Sequence, residues 1–230
     1  MTTAGQSTPS NSGAVWQPSA VPREQRWAGG GIEGLTIWLT GLSGSGKSSI
    51  ADLVLAKLAA SGTIAYVLDA DNLRHGLNSD LGFSPSDRIE NCRRVAEVAR
   101  LLADAGVVCL VPIISPYAND RCQARQRHEQ DGLRFLEVFV DTPLETCIAR
   151  DPKGLYRRAL AGELKQFTGV SAPYEAPKEP DLHLRTPGTD PMALADCVIA
   201  AITGRPADDN RESSAAIIGD SEEWSARDSP

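Results

Sequence analysis

Eight consecutive residues, Gly41-Leu42-Ser43-Gly44-Ser45-Gly46-Lys47-Ser48, match the pattern G-x-x-x-x-G-K-[ST]. Glycines let a backbone bend until successive N–H groups converge on phosphate oxygens. A helix starting at Lys47 would aim its positive end at the same oxygens. Lys47 then reaches the β- and γ-phosphates, and the Ser48 hydroxyl is a ligand for Mg²⁺. The expected ligand is a nucleoside triphosphate, with all eight residues in contact with it. No N-K-x-D segment follows, which weighs against guanine specificity. Downstream lies Asp69-Ala70-Asp71-Asn72-Leu73-Arg74. Two carboxylates two residues apart suit a phosphotransferase: one near Mg²⁺, the other accepting a proton from an attacking hydroxyl.

These groups need a scaffold that delivers them to one edge. Short apolar runs at 35–40, 64–68, 107–114 and 135–140, with a weaker one at 182–184, predict strands. The runs at 64–68 and 107–114 are almost continuously apolar, as strands buried on both faces of a parallel sheet are. Helical periodicity falls at 47–60, 86–105, 118–130, 143–149 and 191–203. In the second, Ile89, Cys92, Val95, Ala96, Ala99 and Leu102 recur at three- and four-residue steps. Strand–helix alternation predicts an α/β fold with right-handed crossovers, which puts ligands at the carboxyl ends of the strands.

Composition narrows the setting. The chain has 230 residues, 23 Lys+Arg against 30 Asp+Glu, and a net charge of −7. That balance argues against a general nucleic-acid binder, which needs clustered cations. No apolar run approaches the roughly 18 residues of a membrane span, and no secretory signal pattern opens the chain. Five cysteines are scattered without a CxxC pair, so a reduced cytoplasmic compartment is expected. Residues 1–30 and 205–230 lack periodicity and are expected to be disordered tails around a domain at 31–204. The second tail is acidic, with a net charge of −4. Trp16, Trp27 and Trp224 lie in these tails, as solvated linker or as docking residues.

A longer set of motifs is more specific than the loop. It includes Asp80-Leu81-Gly82-Phe83-Ser84, Asp87-Arg88, Glu90-Asn91-Cys92-Arg93-Arg94, Ile114-Ser115-Pro116-Tyr117 and Phe139-Val140-Asp141-Thr142-Pro143-Leu144. Further on come Arg150-Asp151-Pro152-Lys153-Gly154-Leu155-Tyr156, Ala161–Gly169 and Ala172-Pro173-Tyr174-Glu175. With these, residues 35–203 resemble the adenylylsulfate kinases. The resemblance implies a three-layer P-loop NTPase fold, with a mainly parallel five-stranded sheet flanked by helices and a mobile lid at about 150–168. It implies transfer of the γ-phosphate of ATP to the 3′-hydroxyl of adenosine 5′-phosphosulfate, with Mg²⁺, in sulfate activation. Its partners would be small molecules, a second copy in a homodimer and a functionally linked ATP sulfurylase.

The same resemblance assigns roles. Asp71 is the general base and Asp69 lies near Mg²⁺ with Ser48. Arg74, Arg88 and Asn91 grip phosphosulfate and ribose, with Arg93 and Arg94 as weaker candidates. Phe83 and Phe167 sandwich the substrate adenine. Lys153 and Lys165, on the cationic lid, face the substrates, and Arg150 stacks on the ATP adenine. Ser115 matches a serine described as a phosphorylated position or intermediate; a substrate-facing hydroxyl in a direct transfer is the alternative. Four departures stand out. Ala70 replaces a usual glycine, Cys92 a branched aliphatic and Ser171 an aspartate, and Ala118-Asn119 fall where an arginine is common. Rival readings are a kinase for another small hydroxyl compound such as gluconate or shikimate, a silent nucleotide-binding regulator, and an adaptor acting through its tails.

Overall fold

The computed structural model describes residues 15, 17–28 and 32–204. Trp16, Trp224 and the acidic 205–230 segment lie outside the described residues. The elements are α1 (Arg23–Trp27), β1 (Leu35–Thr40), α2 (Lys47–Ala60), β2 (Ala65–Val67), α3 (Ala70–Leu73), α4 (Pro85–Asp104) and β3 (Val108–Pro112). They continue with α5 (Ala118–Gln130), β4 (Arg134–Asp141), α6 (Leu144–Arg150), α7 (Leu155–Leu160), β5 (Leu182–Arg185) and α8 (Pro191–Thr203). One five-stranded sheet runs in the order β2-β3-β1-β4-β5, and every strand pair is parallel.

All six residues of the central strand β1 are buried, and their alternation divides the core in two. Leu35, Ile37 and Leu39 pack with Ile50, Val54 and Leu58 of α2 and with Leu194 and Val198 of α8. Trp38, on the opposite face, packs with Val95, Ala96 and Ala99 of α4 and Ala124 of α5. Helices thus cover both faces, and the carboxyl ends of β1, β3 and β4 are left to carry loops. Local signals start the helices where expected. Ser84 and Asp87 form a reciprocal capping box at α4 with Pro85 behind it, and the Asp190 carboxylate caps α8 through Met192 N–H at 3.2 Å.

Three expectations need correction. The 64–68 run is not buried on both faces: β2 is an edge strand, with Ile64 59% and Tyr66 56% exposed. Periodicity counts apolar residues but cannot say which strand ends a sheet. Ile89 is exposed at the start of α4, and Asn91 occupies the buried face in its place. The segment expected as an N-terminal tail holds the docked helix α1. Arg23 and Arg26 both pair with Asp104 at 2.8 and 2.7 Å, and Trp27 Nε1–H donates to the Asp104 carbonyl at 3.0 Å. Gly106 makes room for that indole: a Cβ there would stand 2.8 Å from the ring. Five residues are too few to show a period.

Candidate active site

The loop between β1 and α2 owes its shape to glycine. Gly41 has φ 151°, and a Cβ there would sit 2.5 Å from the Val140 carbonyl of β4. Neighbouring elements pin the rest of the loop. Thr142 donates to the Ser45 carbonyl at 3.0 Å and shares a 2.5 Å hydrogen bond with Thr186. Tyr156, on α7, donates its hydroxyl to the Ser43 carbonyl at 2.9 Å. Lys47 folds back across the loop, its ammonium donating to the carbonyls of Gly41 and Leu42 at 2.9 and 2.6 Å. Burial pulls that ammonium down to about 8, a large loss of basicity for a lysine.

The loop forms one wall of a cavity of about 550 Å³, shared with Asp69, Ala70, Asp71, Ile113, Ile114, Arg150 and Lys153. Ser48, in the first turn of α2, also faces it. The predicted loop residues Ser43–Ser48 are therefore brought together with both carboxylates. Asp69 caps the one-turn helix α3, its Oδ1 accepting from the N–H groups of Asp71 (2.9 Å) and Asn72 (3.0 Å). Asp71 makes a 2.5 Å ion pair with Lys153, both side chains about two-thirds exposed, and that carboxylate holds the Lys153 ammonium above its usual range. Arg150 lies across the loop, 3.4 Å from the Gly44 carbonyl.

Thr186, Thr189, Pro191 and Leu194 also line the cavity. Sequence reasoning missed them. The available signal was the turn-rich Thr186-Pro187-Gly188-Thr189-Asp190-Pro191 run, which leaves the carboxyl end of β5 and so must lie at the ligand-bearing edge.

Arg74, Phe83, Arg88, Asn91, Lys165 and Phe167 are not part of this wall. Phe83 is 59% exposed, with the Arg74 guanidinium 4.3 Å and the Arg88 guanidinium 5.8 Å from its ring centre. Arg88 ties two segments together, donating to the carbonyls of Phe83 (3.1 Å) and Gln166 (2.9 Å). Burial and the like charge of Arg74 hold its guanidinium below the usual arginine range. Phe167 meets Tyr156 edge-on, with ring centres 5.0 Å apart. Asn91 is buried, its Oδ1 accepting from Asn78 Nδ2 at 3.0 Å. Lys165 is exposed between α7 and β5. Arg93 and Arg94 are spent on ion pairs: both bind Glu90, holding its carboxyl at about 2, and Arg94 also grips Asp80.

Ser115 is the clearest departure from expectation. It is 1% exposed and does not face the cavity. Trp38 Nε1–H donates to its Oγ at 3.0 Å, and the Ser115 hydroxyl donates to Thr40 Oγ1 at 2.9 Å. Thr40 passes its own proton to the Ile114 carbonyl at 2.7 Å, so the Tyr174 hydroxyl, 3.0 Å away, must be the donor to Thr40. Ser115 holds φ 39°, and buried Arg121 binds its carbonyl at 2.7 Å. A side chain so placed ties β3 to the end of β1.

The departures at other positions are locally explained. Ala70 sits in the α3 turn and packs in the Trp38 cluster, so its methyl group has a place. Ser171 Oγ accepts the Phe167 N–H at 3.0 Å, an acceptor role that aspartate would also fill. Cys92 is buried, and its thiol is pushed up to about 12 by desolvation, so it is unreactive. Nothing in the structure explains Ala118-Asn119.

Comparison with known proteins bears on this cavity. The family model described as adenylylsulphate kinase matches residues 33–185. The adenylyl-sulfate kinase of Saccharomyces cerevisiae is 52% identical over 183 residues, covering 80% of this chain and 89% of the yeast protein. The bifunctional enzyme NodQ of Rhizobium sp. (strain BR816) is 55% identical over 180 residues, 78% of this chain but only 28% of NodQ. The chain thus spans about a quarter of the length of such bifunctional relatives. Among solved structures, the Mycobacterium tuberculosis APS kinase CysC in complex with AMPPNP and APS superposes with a TM-score of 0.73 at 57% identity. That match covers 75% of this chain and 99% of CysC. Among the described residues, no helix is long and apolar enough to cross a membrane.

Proposed function

The chain belongs to the adenylylsulphate kinase family, and from that premise we propose that it phosphorylates the 3′-hydroxyl of adenosine 5′-phosphosulfate with ATP. The products are 3′-phosphoadenylyl sulfate and ADP, in sulfate activation. The observation that carries this reading is the meeting of Lys47, Ser48, Asp69, Asp71 and Lys153 on one cavity wall. ATP lies with its phosphates in the glycine loop and its adenine between Arg150 and the 186–191 turn. On binding, Lys47 exchanges two carbonyl partners for phosphate oxygens.

Asp71 takes the proton of the 3′-hydroxyl as that oxygen attacks the γ-phosphorus, and the bond to the β-bridging oxygen breaks. Ser48 and the free Oδ2 of Asp69 fit Mg²⁺: both are hard oxygen donors on the same cavity, and this ion takes few protein ligands. When bound, Mg²⁺ neutralises charge on the phosphates. The segment 150–168 closes as a lid, and its net charge of +3 serves the same end. Arg74, Phe83, Arg88, Asn91, Lys165 and Phe167 form the acceptor side, drawn together as the lid closes.

The kinase domain spans about 31–204, works in the cytoplasm as a homodimer and is functionally linked to an ATP sulfurylase. The test is ADP release with ATP and Mg²⁺, comparing adenylyl sulfate with AMP and gluconate. Adenylyl sulfate alone should support turnover; release that does not depend on it would overturn the reading.

A further inference from the structure

Asn78 has no role in the site described so far. It lies in the turn that follows α3, and its side chain is fully buried. Its Nδ2 donates to Asn91 Oδ1 at 3.0 Å, whereas its own Oδ1 is buried with no hydrogen-bond partner among the described residues. An unpaired buried acceptor costs the desolvation of that group, so a leucine of similar volume would fill this space without the penalty. What the leucine would lack is the donor to Asn91.

That donor has a geometric consequence. A carboxamide is planar, with one accepting end and one donating end. Tying the Oδ1 of Asn91 to Asn78 turns the Nδ2 amino end the other way. Asn91 also shares a helical face with Arg88 at three residues' spacing, and Arg88 holds the carbonyls of Phe83 and Gln166. The turn bearing Asn78 is independently anchored. Arg94 binds the Leu77 carbonyl at 3.0 Å and both carboxylate oxygens of Asp80, and Asn78 N–H donates to the Leu73 carbonyl at 2.9 Å. The backbone there does not depend on the side chain of Asn78.

We infer that Asn78 is a positioning residue for the acceptor side: it fixes the Asn91 carboxamide so that its N–H₂ end is offered to an oxygen of adenylyl sulfate. This rests on the reading of Asn91 as a substrate contact.

The experiment is steady-state kinetics and thermal melting of the full chain carrying Asn78→Leu, Asn91→Ala or both. Losing one oriented hydrogen bond should raise KM for adenylyl sulfate by about 3- to 10-fold. In Asn78→Leu, KM for ATP should stay within about twofold and the melting temperature should change little, because the unpaired Asn78 oxygen goes while the Asn91 oxygen loses its donor. The double variant should be no worse than Asn91→Ala alone. Asn78→Asp gives a second readout. Its carboxyl can donate to Asn91 only when protonated, so its KM defect should shrink as pH falls. An unchanged KM for adenylyl sulfate in Asn78→Leu, or effects that add in the double variant, would overturn the inference. An unchanged KM in Asn91→Ala would instead remove its premise.

Discussion

The phosphate loop and the acceptor side differ in what holds them. The loop is backbone, fixed by glycine conformations and by Thr142 and Tyr156 binding its carbonyls. The proposed acceptor side is made of side chains from three separate segments, around 74–83, 88–91 and 165–167. Its aromatic element Phe83 is 59% exposed, and Phe167 packs edge-on against Tyr156. Backbone cradles are finished when the sheet is finished. A side-chain clamp is finished only when a ligand gathers its parts, so losses on the two sides should show in different kinetic constants.

The carboxylate between the two sides should give the largest effect. Asp71→Asn is expected to lower kcat by about 10²- to 10⁴-fold with little change in either KM, measured by ADP release at saturating substrates. An unchanged kcat would place the base elsewhere. Next come the rings. Phe83→Ala and Phe167→Ala remove stacking worth about 1–3 kcal/mol, so KM for adenylyl sulfate should rise by roughly 5- to 150-fold. Equal rises in KM for ATP would erase the distinction between the two sides.

A smaller effect belongs to pH. Burial favours the neutral amine of Lys47, so its folded value of about 8 lies below the ordinary 10.5. The folding penalty for that cation is full below pH 8 and fades as pH rises from 8 to 10.5. Phosphate favours the charged form. ATP affinity should therefore fall as pH rises through about 8, and binding near that pH should take up protons, readable by calorimetry in buffers of different ionisation enthalpy. Binding without proton uptake would mean that the ammonium stays on the loop carbonyls.

The smallest catalytic effect is expected at Ser115. Ser115→Ala leaves the buried Trp38 N–H without its acceptor, a cost of about 1–3 kcal/mol, seen as a lower melting temperature. Turnover should stay within about threefold of the unaltered chain, because the hydroxyl faces the core. Loss of activity with unchanged stability would restore it to the chemistry.

Legibility followed the length scale of each signal. Strand β1 and helices α2, α5 and α8 fall on the runs read from periodicity, since each is long enough to show a repeat or carries its own cap. Helices α1, α3 and α7, of five, four and six residues, gave no period and were missed. The cradle was legible because backbone geometry demands glycine at fixed positions. The burial of Ser115 was not legible, because a serine at the end of a strand has the same letters whether it faces ligand or core. Arg94 was open for a similar reason: only folding brings Asp80, fourteen residues away, onto it.

By itself the sequence determined the phosphate cradle, because spacing along a strand–loop–helix unit is a local property that survives without coordinates; the reaction class rested on the resemblance of the longer set of motifs. Tertiary structure alone decided which hydroxyls and arginines are free to meet a ligand. It buried Ser115 beneath Trp38, spent Arg93 and Arg94 on Glu90, and brought the 186–191 turn to the cavity. Availability depends on who the neighbours are, and neighbours distant in the chain are assigned by packing.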